Sequence, residues 1–516
     1  MFESEYAKIA YMEKDGVVFH VWKKEAHFED YRKPVEASLN MLKEHEGSMF
    51  IVDARNGFED VKEDVDWGFS YFLPELKKTG CRIWGFILPE VSDIEGEIDL
   101  WTSEIEKNFE VIRAVSYEEI LNRVTCKQLL DRIAIPRAVG TEGNNNIIEY
   151  LNRYFENNRY TMKRMPFSCM VWDAAESYME WEDRKQLIMA SPYAKGFHGE
   201  GTVQVVDTLE QLQSISCEAS ILILTGSMAS EPLQPKDYPF YYPDEHKRII
   251  DLLEEKNPLA IIAVTGKHPM CGLNPYPLFE DGNFHIPSAY LSPDDFSKIE
   301  EKVAGKCVKV HLASTCEEAA SEQIVATKSV TNASGKIVIC AHMDSKNDTT
   351  GALDNASGIV TALKLTERLQ LENYDLDIVP FNSEEYYGAN GELLYLEELR
   401  KNEDDIKLLI NIDSVGHIGS KVEASLYNVS DDLQRTIAEI VEKREDIRLG
   451  EAWYAGDHAV FAFQGVCCIA IGSSDMWEGG LDGTHTRKDT VQTVDEKLLL
   501  ETVDFIEEVV TAFEKM

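Results

Sequence analysis

Residues 336–358 read KIVICAHMDSKNDTTGALDNASG. An apolar run delivers His342 and Asp344, and a loop rich in glycine and aspartate then carries Asp354. A buried strand that stops abruptly in His-x-Asp and is followed by another carboxylate is how a fold presents metal-binding side chains at a sheet edge. Three later apolar runs end in the same manner. Leu376–Phe381 leads into NSEEYYGANGE with Glu384 and Glu385, Lys407–Ile412 leads into Asp413, and a run near Val466–Ile471 precedes His485 in GTHTRKDT. Helical patterns separate them: Ile359–Leu371, Glu392–Leu399, Asp432–Arg444 and a closing Asp495–Phe513. Strands alternating with helices predict an α/β fold, a mostly parallel central sheet with helices on both faces. In such sheets ligands bind beyond the carboxyl ends of the strands. Every acidic or histidine cluster falls at such an end.

Taken singly, each cluster has a plainer reading. Asp354 suits a turn, Glu384 and Glu385 a solvated helix start, and His485 a surface loop. Their coincidence at one end of one predicted sheet outweighs those readings. Two histidines and three carboxylates without cysteine suit two divalent cations such as zinc, with one carboxylate bridging. Of two adjacent glutamates only one is needed as a ligand, which leaves the other free to handle a proton.

At 516 residues, 44% of them hydrophobic, the chain has material for two or three domains with sizeable cores. Its 92 acidic against 51 basic residues give a formal net charge of -41, the wrong sign for a nucleic-acid or anionic-membrane partner. The acidic, interrupted start MFESEYAKIAYMEKDG is no signal peptide, and no apolar run has the length of a membrane span. Ten scattered cysteines read as reduced thiols, and the adjacent Cys467 and Cys468 are poorly placed for a disulfide. The sequon at Asn355 lies inside the candidate metal loop and is read as chance. Together these features predict a cytoplasmic protein.

Residues 1–124 form their own α/β pattern, with strands at Val17–Trp22, Met49–Asp53 and Arg82–Leu88 and helices at Glu29–His45 and Glu63–Gly80. The pattern, with Trp22, Asp53, Arg55, Trp67, Pro74 and Gly80 as anchors, resembles SpoIIAA-like (STAS/SEC14-related) domains. In the STAS antagonists a phosphorylated serine follows an aspartate after the central strand. Here Ala54 and Arg55 follow Asp53, so phosphoserine switching is not expected. Asp53 and Arg55 are read as a strand-end ion pair, and a protein or a small ligand remains the expected partner of this domain. Residues 168–305 are rich in strands and turns: ESYMEWE, TVQVVD, SILILTGS and LAIIAVTG read as strands, KRIIDLLEEK and IPSAYLSPDDFSKIEEK as helices. Their order resembles the protease-associated (PA) domain inserted in some peptidases, a lid or substrate-gating module.

Residues 125–516 carry AHMDS, GALDNASG, NSEEYYGANG, NIDSVG, AGDHAVF and HTRKDT in that order. This series resembles the M28 zinc aminopeptidases. The resemblance implies a fold with two Zn2+, Co2+ or Mn2+ being substitutes, and peptide substrates with a free N-terminus. It implies that Asp354 bridges, that His342 and Asp413 hold one metal, and that Glu385 and His485 hold the other. It makes Glu384 the general base and Asp344 the carboxylate that orients His342. Gly456 stands where the family usually has serine, and the Cys467–Cys468 pair is unusual for it. Arg137, in the Pro-Arg loop at the entry to this region, is read as a loop anchor. Three competing readings remain: a glutaminyl-cyclase-like acyltransferase using one zinc, a carboxypeptidase with Arg487 as carboxylate anchor, and a non-catalytic regulatory protein on a peptidase fold.

Overall fold

Lys336–His342 lies in the interior of an eight-stranded sheet, and its composition explains why. Residues 337–342 are all buried, an unbroken apolar run of the kind a parallel strand needs when both of its faces are covered. Asp375–Phe381 pairs with it in parallel on one side and Ile406–Ile412 on the other, and Cys468–Ser473 extends the parallel set. On one face Val338, Cys340, Val379, Phe381 and Leu409 pack against Tyr395, Leu396 and Leu399 of the helix Asn390–Asn402. Strand alternation turns Ile337 and Ile339 to the other face, where the helix Ser357–Arg368 packs, backed by the closing helix Glu496–Phe513. These are the expected sheet and flanking helices.

The margins of the sheet are antiparallel. Ser314–Lys328 runs against Asp375–Phe381 and against the long outer strand Thr161–Ala174, and at the far side Val422–Tyr427 runs against Cys468–Ser473. Of these the sequence pattern shows only Ile324–Thr327. The remainder of Ser314–Lys328, STCEEAASEQ, is half exposed and charged, so it lacks the apolar signature of its neighbours.

Thr161–Ala174 and Ser314–Lys328 are also the points of departure and return of an insertion. Between them a seven-stranded closed barrel runs from Ser177 to Leu312. Its parallel centre is made by Ser220–Leu224 and Ala260–Val264, SILIL and AIIAV, whose side chains are almost wholly buried. The stretch IPSAYLSPDDFSKIEEK, read above as one helix, is broken. Ser288–Leu291 is a barrel strand beside Ala260–Val264, and Ser292 then caps a short helix, Pro293–Ser297, by accepting from the Asp295 N–H. A serine cap followed by proline at the first helical position is a strong helix start, so it ends the strand abruptly.

The structure, a computed structural model, describes residues 1–57, 61–89, 105–402 and 405–516. The chain divides into two compact units, Met1–Gln128 and Leu129–Met516. The first is a six-stranded sheet in which Phe2–Glu3, Ala7–Met12 and Val17–Trp22 are antiparallel, followed by parallel Met49–Asp53, Ile83–Ile87 and Glu110–Ala114. Its core packs Trp22, Phe50, Phe72 and Trp84. The segment expected as one helix over 63–80 changes pitch several times: α over Lys62–Trp67, a wider turn over Gly68–Phe72, then α and 3-10 turns that end at Gly80, φ 74°. Arg55 grips Asp53 with both arms, Nε to Oδ1 at 2.9 Å and Nη2 to Oδ2 at 2.7 Å. None of the ten cysteines, all of them among the described residues, forms a disulfide. Among the described residues no helix is long and apolar enough to cross a membrane.

Candidate metal centre

The sheet brings all five expected ligands to one place. His342 ends its strand, and the chain then loops through Asp344 to Gly351, which has φ 53° and admits the turn that brings Asp354 back beneath the histidine. Asp354 presents one carboxylate oxygen to each imidazole: Oδ1 lies 3.0 Å from His342 Nε2 and Oδ2 lies 3.1 Å from His485 Nε2. Asp413, at the end of the neighbouring strand, puts Oδ1 3.8 Å from His342 Nε2. Glu385 puts Oε1 3.0 Å from His485 Nε2. The result is two triads, His342–Asp354–Asp413 and Asp354–Glu385–His485, each with its donor atoms within 4.8 Å of one another and with Asp354 common to both.

The loops that aim these side chains are shaped at single residues. Ser383 directly before Glu384, Ser414 directly after Asp413 and His485 itself have φ of 127°, 53° and 58°. Non-glycine residues adopt such values only where the surroundings enforce them, at about 1–3 kcal/mol each. Two anchors do the enforcing for the Asp354 loop. Asp489 accepts the main-chain N–H of Leu353 at 2.7 Å and of Asp354 at 3.1 Å. Fully buried Arg137 donates to the carbonyls of Met343 (2.7 Å), Thr350 (2.5 Å), Gly351 (2.9 Å) and Ile135 (3.2 Å). Burial pulls its pKa down to about 10, with Asp344 and Asp489 opposing, so the guanidinium stays charged at neutral pH. Arg137→Met leaves those carbonyls without a donor in a closed interior and is expected to cost about 3–5 kcal/mol, read as a lower urea midpoint.

The electrostatics show which charge the cluster favours. Burial disfavours a charged His342, yet the Asp344 carboxylate at 3.8 Å, the hydrogen bond to Asp354 and the Asp413 carboxylate at 3.8 Å hold its proton far above the usual histidine range. His485 behaves alike, burial being outweighed by Glu385, Asp354 and Cys271. The adjacent glutamates diverge. Burial raises both, but His485 and Lys346 bring Glu385 down to about 2, whereas neighbouring carboxylates keep Glu384 well above the usual range despite His342. Each histidine thus holds a proton on the atom it would offer to a metal, between carboxylates that need positive charge. A donor set of imidazole nitrogens and carboxylate oxygens, packed this closely with two carboxylates per histidine, fits a pair of divalent cations of the zinc, cobalt or manganese type.

Several residues at the site had been assigned no role. Lys346 reaches Glu280 Oε2 at 2.9 Å and Glu385 Oε2 at 3.4 Å. Asp489 lies in the HTRKDT motif and Asp457 in AGDHAVF, where their motif positions were visible and their partners were not. Asp344 stands 3.8 Å from His342 Nδ1 and accepts the Glu385 N–H at 3.1 Å. Gly456 lies so near the site that a Cβ there would be 3.2 Å from Asp413 Oδ2 and 3.0 Å from the Trp453 ring. Asn355 is buried, donating to the Ile412 carbonyl at 2.8 Å, which leaves its sequon no access to a glycan. Arg487 is not a lining residue; it is largely exposed and faces Asp348 at 3.4 Å.

The triads open on a cavity of about 690 Å³. Its inner wall includes Glu384, Asp413 and His485, and the inserted barrel supplies Tyr238, Phe240 and Met270 to the facing wall. Tyr241, Tyr454, Phe463 and Trp477 line it while remaining half or more exposed, at 62%, 53%, 67% and 50%.

Residues 323–510 match the model of peptidase family M28. The matched region contains His342, Asp344, Asp354, Glu384, Glu385, Asp413 and His485. Solved structures share the fold of most of the chain. An aminopeptidase from Aneurinibacillus sp. strain AM-1 aligns with TM-score 0.61 and 16% identity over 75% of this chain and 93% of its own. A zinc aminopeptidase from Bacillus subtilis aligns with TM-score 0.56, 16% identity and coverages of 75% and 94%. An M28 peptidase precursor from Shewanella amazonensis SB2B aligns with TM-score 0.53, 19% identity and coverages of 75% and 96%. No curated protein matches the sequence.

Proposed function

We infer that this protein is a two-zinc metallopeptidase that removes N-terminal amino acids from peptides. The observation that carries the reading is Asp354 with one oxygen on each of two imidazoles, 3.0 and 3.1 Å away, which is the arrangement a bridging ligand requires. His342 and Asp413 would hold one ion, Glu385 and His485 the other. The M28 match over the same residues and the fold shared with zinc aminopeptidases support it. Completeness of both triads favours two metals over the single-zinc cyclase alternative.

A bound pair of divalent ions supplies Lewis-acid polarisation of the peptide carbonyl and a more acidic water. The remaining chemistry belongs to the chain. Glu384 takes the proton of the attacking water and returns it to the departing amine, which is otherwise a poor leaving group. Asp344, 3.8 Å from His342 Nδ1, stands where it would orient that ring, and Lys346, 3.4 Å from Glu385 Oε2, steadies Glu385. The aromatic rim excludes water and receives apolar side chains, while the acidic surroundings attract a free α-ammonium group.

On this reading the Ser177–Leu312 barrel is the PA-like module over 168–305, forming one wall of the substrate cavity. The SpoIIAA-like module over 1–124 binds a separate protein or small ligand, and the chain works in the cytoplasm. A substrate panel tests the reading. Leucyl and phenylalanyl peptides with free N-termini are expected to be cleaved at least about tenfold faster than glutamyl ones, and N-acetylated peptides not at all. Chelator should abolish all cleavage. Cleavage of N-acetylated peptides, or activity that survives metal stripping, would sink it.

A further inference from the structure

The cavity carries different chemistry at its two ends. Seven carboxylates line it, and among the described residues Lys346 is its one lysine or arginine. That ammonium is already engaged: Nζ lies 2.9 Å from Glu280 Oε2, 3.0 Å from the Glu385 carbonyl oxygen and 3.4 Å from Glu385 Oε2. With Asp354, Glu385 and Asp413 taken up by metals and Glu280 by Lys346, the wall still holds Glu384 and the buried Glu392 and Asp457. Such a wall attracts an α-ammonium group. A terminal carboxylate meets like charge there, with no free lysine or arginine among the described residues to receive it.

The outer end is apolar and aromatic. The barrel contributes Tyr241 and Met270, 62% and 45% exposed, and the loops around the sheet contribute Tyr454, Phe463 and Trp477. Tyr454 and Phe463 stack with ring centroids 4.9 Å apart and planes 13° from parallel, and Trp477 lies edge-on to the buried Trp453 at 6.2 Å. One exposed aromatic ring is ordinary, but five large apolar side chains around one opening form the kind of patch that marks a binding surface. Its two sides are held together. Lys267 Nζ meets Asp482 Oδ1 at 2.5 Å, and Gly272, two residues after Met270, lies so close that a Cβ would stand 1.8 Å from the Asp482 carbonyl oxygen.

We propose that this rim binds the residues that follow the cleaved bond, so that the preferred substrates are peptides of three or more residues with an apolar side chain beyond that bond, and free dipeptides are poor ones. The proposal rests on the aminopeptidase reading given above. The polarity of the cavity sets the direction of the chain: the N-terminus is drawn to the acidic inner wall, and everything after the first peptide bond runs outward across the aromatic rings. A dipeptide ends before it reaches them, and its carboxylate stays beside the acidic wall. A longer peptide carries that charge out past the rim and covers the exposed rings on its way.

Initial rates of the metal-loaded full chain on leucyl-alanine, leucyl-alanine amide and leucyl-alanyl-phenylalanine amide test it, since all three present the same bond. In wild type, kcat/KM is expected to be about tenfold lower for the free dipeptide than for its amide, because its carboxylate faces like charge. The longer amide is expected to exceed the dipeptide amide by about 10–100-fold, mainly through a lower KM, which is what burial of one more aromatic side chain supplies. Trp477→Ala and Phe463→Ala are each expected to shrink that second ratio by about 3–10-fold. The ratio is formed within one preparation, so a general loss of folded or metal-loaded protein cancels. Equal kcat/KM for the two amides in wild type overturns the proposal, as does a ratio that neither variant lowers, or a free dipeptide cleaved as well as its amide. A wild type that cleaves none of the three overturns the aminopeptidase reading itself, and is seen before any ratio is formed.

Discussion

Glu384→Gln should bind two metals as tightly as wild type and hydrolyse peptides about 10²–10⁴-fold more slowly. Glutamine preserves size and hydrogen bonding but cannot accept the proton of the attacking water, and a positioned general base contributes about that factor. The loss corresponds to about 3–5 kcal/mol of barrier. Elemental analysis of the purified variant and single-turnover hydrolysis of a leucyl peptide together make the check. A variant with two metals and full turnover would remove Glu384 from the chemistry. The pair Glu384 and Glu385 makes the contrast sharp, because Glu385 touches His485 at 3.0 Å and is brought down to about 2, whereas Glu384 is pushed the other way.

Asp354→Ala should disturb both metal sites at once, and Asp344→Asn only one. Asp354 is the sole residue shared by the two triads. Its loss removes an anion from each ion and the charge that offsets their mutual repulsion, so both affinities should fall by at least about 100-fold, with hydrolysis lost. Asp344 touches only His342 among the expected ligand side chains, so the asparagine variant should weaken one site by about 10–100-fold. Stepwise zinc titration separates the two patterns. Loss of a single site in Asp354→Ala would show that the carboxylate does not bridge.

The ligand constellation was legible because parallel strands buried on both faces are nearly uniform in polarity, so the first charged residue beyond each one stands out. His342, Glu384, Asp413 and, further on, His485 follow such runs. What supports them was not legible. Arg137 finds its carbonyl partners in residues 343–351, and Asp489 finds the main-chain N–H groups of Leu353 and Asp354, contacts that no local spacing encodes. The outer strands were missed for another physical reason. Glu317 and Glu318 in Ser314–Lys328 are exposed on its two faces and Glu322 is partly so, and their charge hides the ladder made with Thr161–Ala174. The pitch changes over 62–79 were equally hidden, since α and wider turns differ by a fraction of a residue per turn and leave the same apolar spacing.

The tight seat of Gly272 on the Asp482 carbonyl has a kinetic consequence. With Glu280 tied to Lys346 and a Cβ at Gly282 only 2.3 Å from Tyr387 Oη, the barrel is pinned to the sheet at points on more than one side of the cavity. On the proposed reading, a module fastened in that way is expected to stay closed as a peptide enters. The rim offers the smaller motions: Tyr241, Tyr454, Phe463 and Trp477 are half or more exposed, with Tyr454 stacked on Phe463 at 4.9 Å. Exposed side chains change rotamer in picoseconds to nanoseconds, domains in microseconds to milliseconds. On the proposed peptidase reading, entry of substrate is expected to follow side-chain adjustment at this rim rather than a hinge, leaving bond cleavage or product departure to set the pace.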